Sequence, residues 1–129
     1  MPSILIVDDD PGHLEFVAAV VGRAGYSAYK AQDSAQCVVL ANVVAPDLLV
    51  INLAMPGLDS VVLTTRTRAR GNLTPIIGLT DGGTGLQPES KQTFLAAGAT
   101  RLIAKPFSGG DLLRLIDDLV GVGFASAAE

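Results

Sequence analysis

The chain carries a single cysteine, Cys37, no tryptophan, and only two tyrosines and four phenylalanines in 129 residues. One cysteine cannot close an internal disulfide, so the fold must be held by its core, and a reducing, cytoplasmic setting is expected. With so few aromatic rings, that core has to be aliphatic. No apolar run approaches the roughly 18 residues a membrane span requires, and residues 1–7 lead straight into acids, unlike a signal peptide. The net charge is only −4, with no block rich in Lys or Arg. Direct binding of nucleic acid is therefore not expected. His13 is the one histidine; it has no partner at metal-ligand spacing and is expected on the surface of the first helix.

What the chain has in quantity is apolar residues, 49% of the total, gathered in short runs. Residues 3–7 (Ser-Ile-Leu-Ile-Val) suit a strand buried on both faces. Asp8, Asp9 and Asp10 follow, and Asp10-Pro11 reads as an N-cap with proline at the first helical position. Leu14, Val17, Ala18 and Val21 recur at helical spacing, and Gly25 is the expected left-handed stop. Residues 27–30 form a short second strand. A second helix, capped by Asp33 or Ser34, holds Cys37 as a small apolar residue and ends before Pro46. Residues 46–52 form the third strand, broken at Met55-Pro56-Gly57. Asp59 or Ser60 opens a third helix ending near Gly71, with Arg66, Arg68 and Arg70 on its solvated side.

Residues 75–80 read as a fourth strand, 81–87 as a glycine-rich loop, and Pro88 as the start of a fourth helix. That helix is expected to turn Phe94 and Leu95 inward and to stop at Gly98. Residues 100–104 form the fifth strand. Ser108 and Asp111 stand at capping-box spacing, with Phe107 able to staple against Leu112. The fifth helix is lined by Leu112, Ile116 and Leu119 and ended by Gly121, and residues 122–129 are expected to fray. Five strand–helix alternations imply one α/β domain over residues 1–121, a parallel sheet with helices on both faces.

Four polar positions stand just past strand ends: Asp8/Asp9, Asn52, Thr80 and Lys105. In a parallel sheet such positions share one edge, so residues far apart in sequence meet in one crevice. Paired carboxylates suit a hard dication such as Mg²⁺, and a hydroxyl with an ammonium suits phosphoryl oxygens. The Gly82-Gly83-Thr84-Gly85 run lacks the Gly-Lys-Ser/Thr ending that grips nucleotide phosphates, and is taken as a loop.

Together these residues resemble the receiver domain of two-component response regulators. The resemblance rests on Val7-Asp8-Asp9-Asp10-Pro11, Pro46-Asp47-Leu48 with Met55-Pro56-Gly57-Leu58-Asp59, Ile77-Gly78-Leu79-Thr80 and Ala104-Lys105-Pro106-Phe107. It covers residues 3 to about 121. It implies a flavodoxin-like (βα)5 three-layer sandwich with a parallel five-stranded sheet of order 2-1-3-4-5. It also implies phosphoryl transfer from a histidine kinase or phosphotransfer protein onto an aspartate. Asp8 and Asp9 would hold Mg²⁺ with the backbone carbonyl of Ala54, Thr80 would bond the phosphoryl group, and Lys105 would pair with it. The Lys105-Pro106 peptide would be cis. The family's surface of helix four, strand five and helix five would meet a kinase, phosphotransfer protein, output domain or second copy. No organic cofactor and no enzymatic turnover are implied.

The sequence departs from that pattern in three places. Asn52 stands where the family has its phosphoacceptor aspartate; an amide oxygen is a poor nucleophile, so no acyl phosphate is expected there. Losing that carboxylate also weakens Mg²⁺ binding and relieves a like-charge repulsion of roughly 4 kcal/mol at intermediate dielectric. Leu102 stands where the family often has Tyr or Phe, which removes the polar tip that moves with the threonine hydroxyl. Asp81 replaces a small residue after Thr80, in a loop about three residues longer than the family commonly has, and could return negative charge to the site. The leading expectation is a receiver that acts through protein contacts. Its rivals are an ordinary phospho-accepting switch carrying an engineered Asn52, and a flavodoxin-like cofactor binder, which has fold analogy alone behind it.

Overall fold

The short apolar runs become strands and the periodic segments between them become helices. The computed structural model describes residues 2–53, 60–69, 74–80, 88–105 and 107–121. In chain order these give β1 Ser3–Val7, α1 Pro11–Arg23, β2 Ser27–Ala31, α2 Ser34–Val44, β3 Leu48–Asn52, α3 Ser60–Ala69, β4 Ile76–Thr80, α4 Pro88–Ala96, β5 Arg101–Ala104 and α5 Gly109–Ile116. All strand pairs are parallel, in the order β2-β1-β3-β4-β5. This is the flavodoxin-like winding expected from the sequence.

Successive residues of a strand face opposite sides of the sheet, and the core divides accordingly. Ile4, Ile6, Leu48, Val50, Ile77 and Leu79 pack with Leu14, Val17 and Val21 of α1 and Leu112 and Ile116 of α5. Leu5, Val7, Leu49, Ile51 and Ile76 pack on the other face with Cys37, Leu63 and Phe94, from α2, α3 and α4. Strands that are apolar at every position are what a sheet covered on both sides demands. Gly78, in the middle of β4, has no room for a side chain: a Cβ there would lie 2.7 Å from Phe94 and 2.9 Å from both Leu102 and Leu53.

The caps follow the sequence closely. Asp10 accepts from the amides of Gly12 and His13, Asp33 from that of Gln36, and Ser108 and Asp111 form the reciprocal capping box of α5. Gly25 and Gly98 both take positive φ, at 99° and 122°, which is where glycine ends a helix without strain. Ala45 ends α2 in the same left-handed region, at φ 51°, a conformation the sequence did not signal.

Other expectations are corrected. Leu95 turns outward, 43% exposed, while Phe94 beside it is buried; a single turn of α4 cannot bury two consecutive side chains on one face. Helix α5 ends at Ile116 and continues as a π-helical turn, Asp117–Gly121, where Asp117 receives the hydroxyl of Tyr26. Strand β5 begins at Arg101, because the Thr100 hydroxyl accepts the Ile76 amide at 3.0 Å and stands in for a ladder carbonyl. Arg68 is not on a solvated face. Its guanidinium donates to the carbonyl of Gly98 through Nε (3.1 Å) and Nη2 (2.8 Å), and to that of Thr74 through Nη1 (2.7 Å). It thereby ties α3 to the end of α4 and the entry to β4. Asp59, Arg70, Gly71 and residues 122–129 lie outside the described residues.

Candidate functional site

The carboxyl ends of β1, β3 and β4 bring one buried polar group each to the same edge. Asp8 follows β1, Asn52 ends β3 and Thr80 ends β4, and all three are buried. The register aligns them: Val7 pairs with Ile51, Asn52 with Leu79, and Thr80 with Ala104. Lys105 comes one residue later, its amide donating to the Thr80 carbonyl at 2.8 Å. The sheet, not local sequence, assembles this group.

Asp8 is its centre. The chain turns sharply after β1, so that the Asp10 amide donates to Asp8 Oδ1 at 3.0 Å. Asn52 Nδ2 donates to the same oxygen at 3.1 Å. The other oxygen, Oδ2, lies 2.6 Å from Nδ1 of His13. A carboxylate removed from water needs hydrogen-bond donors, and here a backbone amide, a side-chain amide and an imidazole supply three. Asp9, by contrast, is exposed to solvent.

His13 is therefore not the surface residue expected from its spacing. Its side chain is only 18% exposed, with its ring 6.0 Å from that of Phe16, tilted, and 6.0 Å from that of Phe107, edge-on. Sequence spacing missed it because the partner lies just past the preceding strand, five residues back across a turn, rather than one helical turn away. The signal was present in the Asp10 cap: a side chain in the first turn of a helix stands beside whatever precedes the cap.

Leu102 sits partly buried against the cluster containing Phe94, so the switch position serves as an apolar contact. Ala54, Asp81 and the Lys105-Pro106 bond fall wholly or partly outside the described residues, as does the 81–87 loop. Among the described residues no three His, Cys, Asp or Glu side chains converge as a metal site. The donor set does not fit a hard dication as arranged: both oxygens of Asp8 face nitrogen donors, and Asn52 turns its amide nitrogen, not a carboxylate, toward Asp8.

Residues 4–117 match the model of the response regulator receiver domain. The chain belongs to that family. Among similar receivers, one lies in the DNA-binding dual master transcriptional regulator RpaA of Synechocystis, 32% identical over 93% of this chain and 49% of that protein. Another lies in the sensor histidine kinase RcsC of Escherichia coli, 32% identical over 80% of this chain and 10% of the kinase. Among solved structures, chemotaxis protein CheY4 of Vibrio cholerae superposes with a TM-score of 0.84 at 29% identity, covering 93% of this chain and 99% of that one. The chain thus spans about half the length of the regulator RpaA and a small part of RcsC. As a receiver domain it belongs to two-component signalling, where such domains meet histidine kinases and output domains. Among the described residues, no helix is long and apolar enough to cross a membrane.

Proposed function

We propose that this receiver signals through protein contacts, with its acceptor position chemically silent. The observation that carries the reading is Asn52, buried at the end of β3 and hydrogen-bonded to Asp8. An amide there has neither the charge nor the nucleophilicity to take a phosphoryl group. Asp8, Thr80 and Lys105 keep the remaining receiver positions, so the edge retains its shape without its reactive atom.

Partner recognition falls to the surface of α4, β5 and α5. Leu95 and Arg101 are exposed on these elements, an apolar side chain and a guanidinium, residue types suited to a protein partner. A kinase, phosphotransfer protein, output domain or second copy binding this face shifts the chain between conformations only by its differential affinity for them. The module binds and turns over no substrate.

The test is intact-mass spectrometry after incubation with acetyl phosphate and Mg²⁺. The wild-type chain is expected to gain no phosphoryl group, and Asn52→Asp to gain one. A stable phosphoryl adduct on the wild-type chain, mapped to another residue, would overturn the proposal. Adduct on neither chain would show that the acceptor is not the only part of the site that is silent.

A further inference from the structure

His13 belongs to no motif of the receiver pattern, yet it makes a short contact at the site. Its Nδ1 approaches Asp8 Oδ2 at 2.6 Å while Asn52 Nδ2 and the Asp10 amide hold Oδ1. Asp8 is fully buried. An isolated carboxylate there would be costly unless neutralised by a cation or by a complete set of donors. In this chain three nitrogen donors face its two oxygens.

We infer that His13 takes the place of a divalent cation beside Asp8, and that it excludes hard dications from this edge. The inference rests on reading the edge as the receiver pocket; metal binding and phosphorylation are scored separately, so either can fail alone. A hard dication binds through oxygen and would need Oδ2 of Asp8. That oxygen is met by a ring nitrogen, on an imidazole that is largely buried. Phe16, one helical turn along α1, and Phe107, in the segment entering α5, are its ring neighbours, each 6.0 Å off between centroids. The backbone of α1 adds a further constraint, because the His13 amide is itself held by the Asp10 cap. Neutral imidazole with hydrogen on Nδ1 suffices for the contact, so the exclusion does not depend on charging the ring.

His13 and Asn52 then act together. Asn52 removes the carboxylate that would have shared an ion with Asp8, and His13 supplies the donor that Asp8 would otherwise lack. An acceptor replaced alone would leave Asp8 under-satisfied; a histidine added alone would compete with the ion for one oxygen. Together they convert an ion-binding edge into a closed hydrogen-bonded one. His13 is thus a positioning residue for Asp8.

Titration calorimetry with MgCl₂, and water-proton relaxation with Mn²⁺, on the purified full chain test this at fixed pH. The wild-type chain is expected to show no saturable uptake of either ion at low millimolar concentration. His13→Leu is expected to strengthen uptake by about fivefold, the ratio for one lost hydrogen bond. His13→Asn places an amide nitrogen as far from Cβ as Nδ1 and is expected to restore exclusion, which a merely structural role for His13 would not do. Asn52→Asp with His13→Leu should bind more tightly than either single variant. Circular dichroism and melting of each variant establish that it is folded. Three results would overturn the inference: Mg²⁺ uptake by the wild-type chain equal to that of His13→Leu, His13→Asn binding as His13→Leu does, or saturable Zn²⁺ uptake by the wild-type chain that His13→Leu abolishes. The last would make His13 a ligand and not a barrier.

Discussion

A carboxylate as buried as Asp8 is stabilised by whatever surrounds it, and the identity of those neighbours decides its chemistry. In this chain they are an amide, an imidazole and a backbone N–H, none of which is a carboxylate able to form an acyl phosphate. Tyr26 shows the same logic at the other end of the sheet. Burial first, and then the hydroxyl's bond to Asp117 and the charge of that carboxylate, push its phenol up to about 12 from 10.0. A folded-state value above the unfolded one adds stability that is fully present below pH 10 and is lost as pH rises toward 12. Tyr26→Phe is expected to lower stability at neutral pH by about 1 kcal/mol, for the lost hydrogen bond, and to flatten the loss between pH 10 and 12. Urea unfolding at a series of pH values checks both; an unchanged slope in the variant would refute the assignment. At this scale the sequence was legible where a residue type has one use. Asn52 and Asp8 stood out because polar groups at the ends of buried strands are rare. His13 and Arg68 did not, because their partners (a carboxylate across a turn, and carbonyls of Gly98 and Thr74 on other elements) are set by packing and not by spacing.

Elements were read more surely than their surfaces. The caps at Asp10, Asp33 and Ser108, and the glycine stops at 25 and 98, are local signals, and each appears where the sequence put it. Which way α4 turns its side chains is a tertiary matter, and Leu95 faces outward where the sequence pattern points it inward. Phe94 fills the space over Gly78 and leaves its neighbour outside. Gly78→Ala therefore forces Phe94, Leu102 and Leu53 apart and is expected to destabilise the domain by about 1–3 kcal/mol, the usual cost of overpacking. Thermal or urea unfolding measures it. A variant as stable as the parent would mean that β4 and α4 are not packed as closely as described. Because Leu102 is one of the displaced side chains, the same variant also reports on whether the switch position is a fixed apolar contact.

For the whole molecule, topology does the decisive work. Parallel strands wound in the order β2-β1-β3-β4-β5 carry Asp8, Asn52, Thr80 and Lys105 to one edge, although nearly a hundred residues separate the first from the last. That convergence was legible because alternating apolar runs and helical periods leave few ways to wind the sheet. The interior of the edge was less legible, since hydrogen-bond partners there depend on ångström-level placement. The central claim is that the receiver edge is assembled but does not respond to a phosphoryl group. The most direct measurement is the ¹⁵N–¹H spectrum of the labelled chain before and after adding MgCl₂ and beryllofluoride, a tetrahedral phosphoryl mimic that binds carboxylates. The expected result is that the amides of Thr80 and Lys105 stay in place in the wild-type chain and shift in Asn52→Asp. Equal shifts in both chains would contradict it.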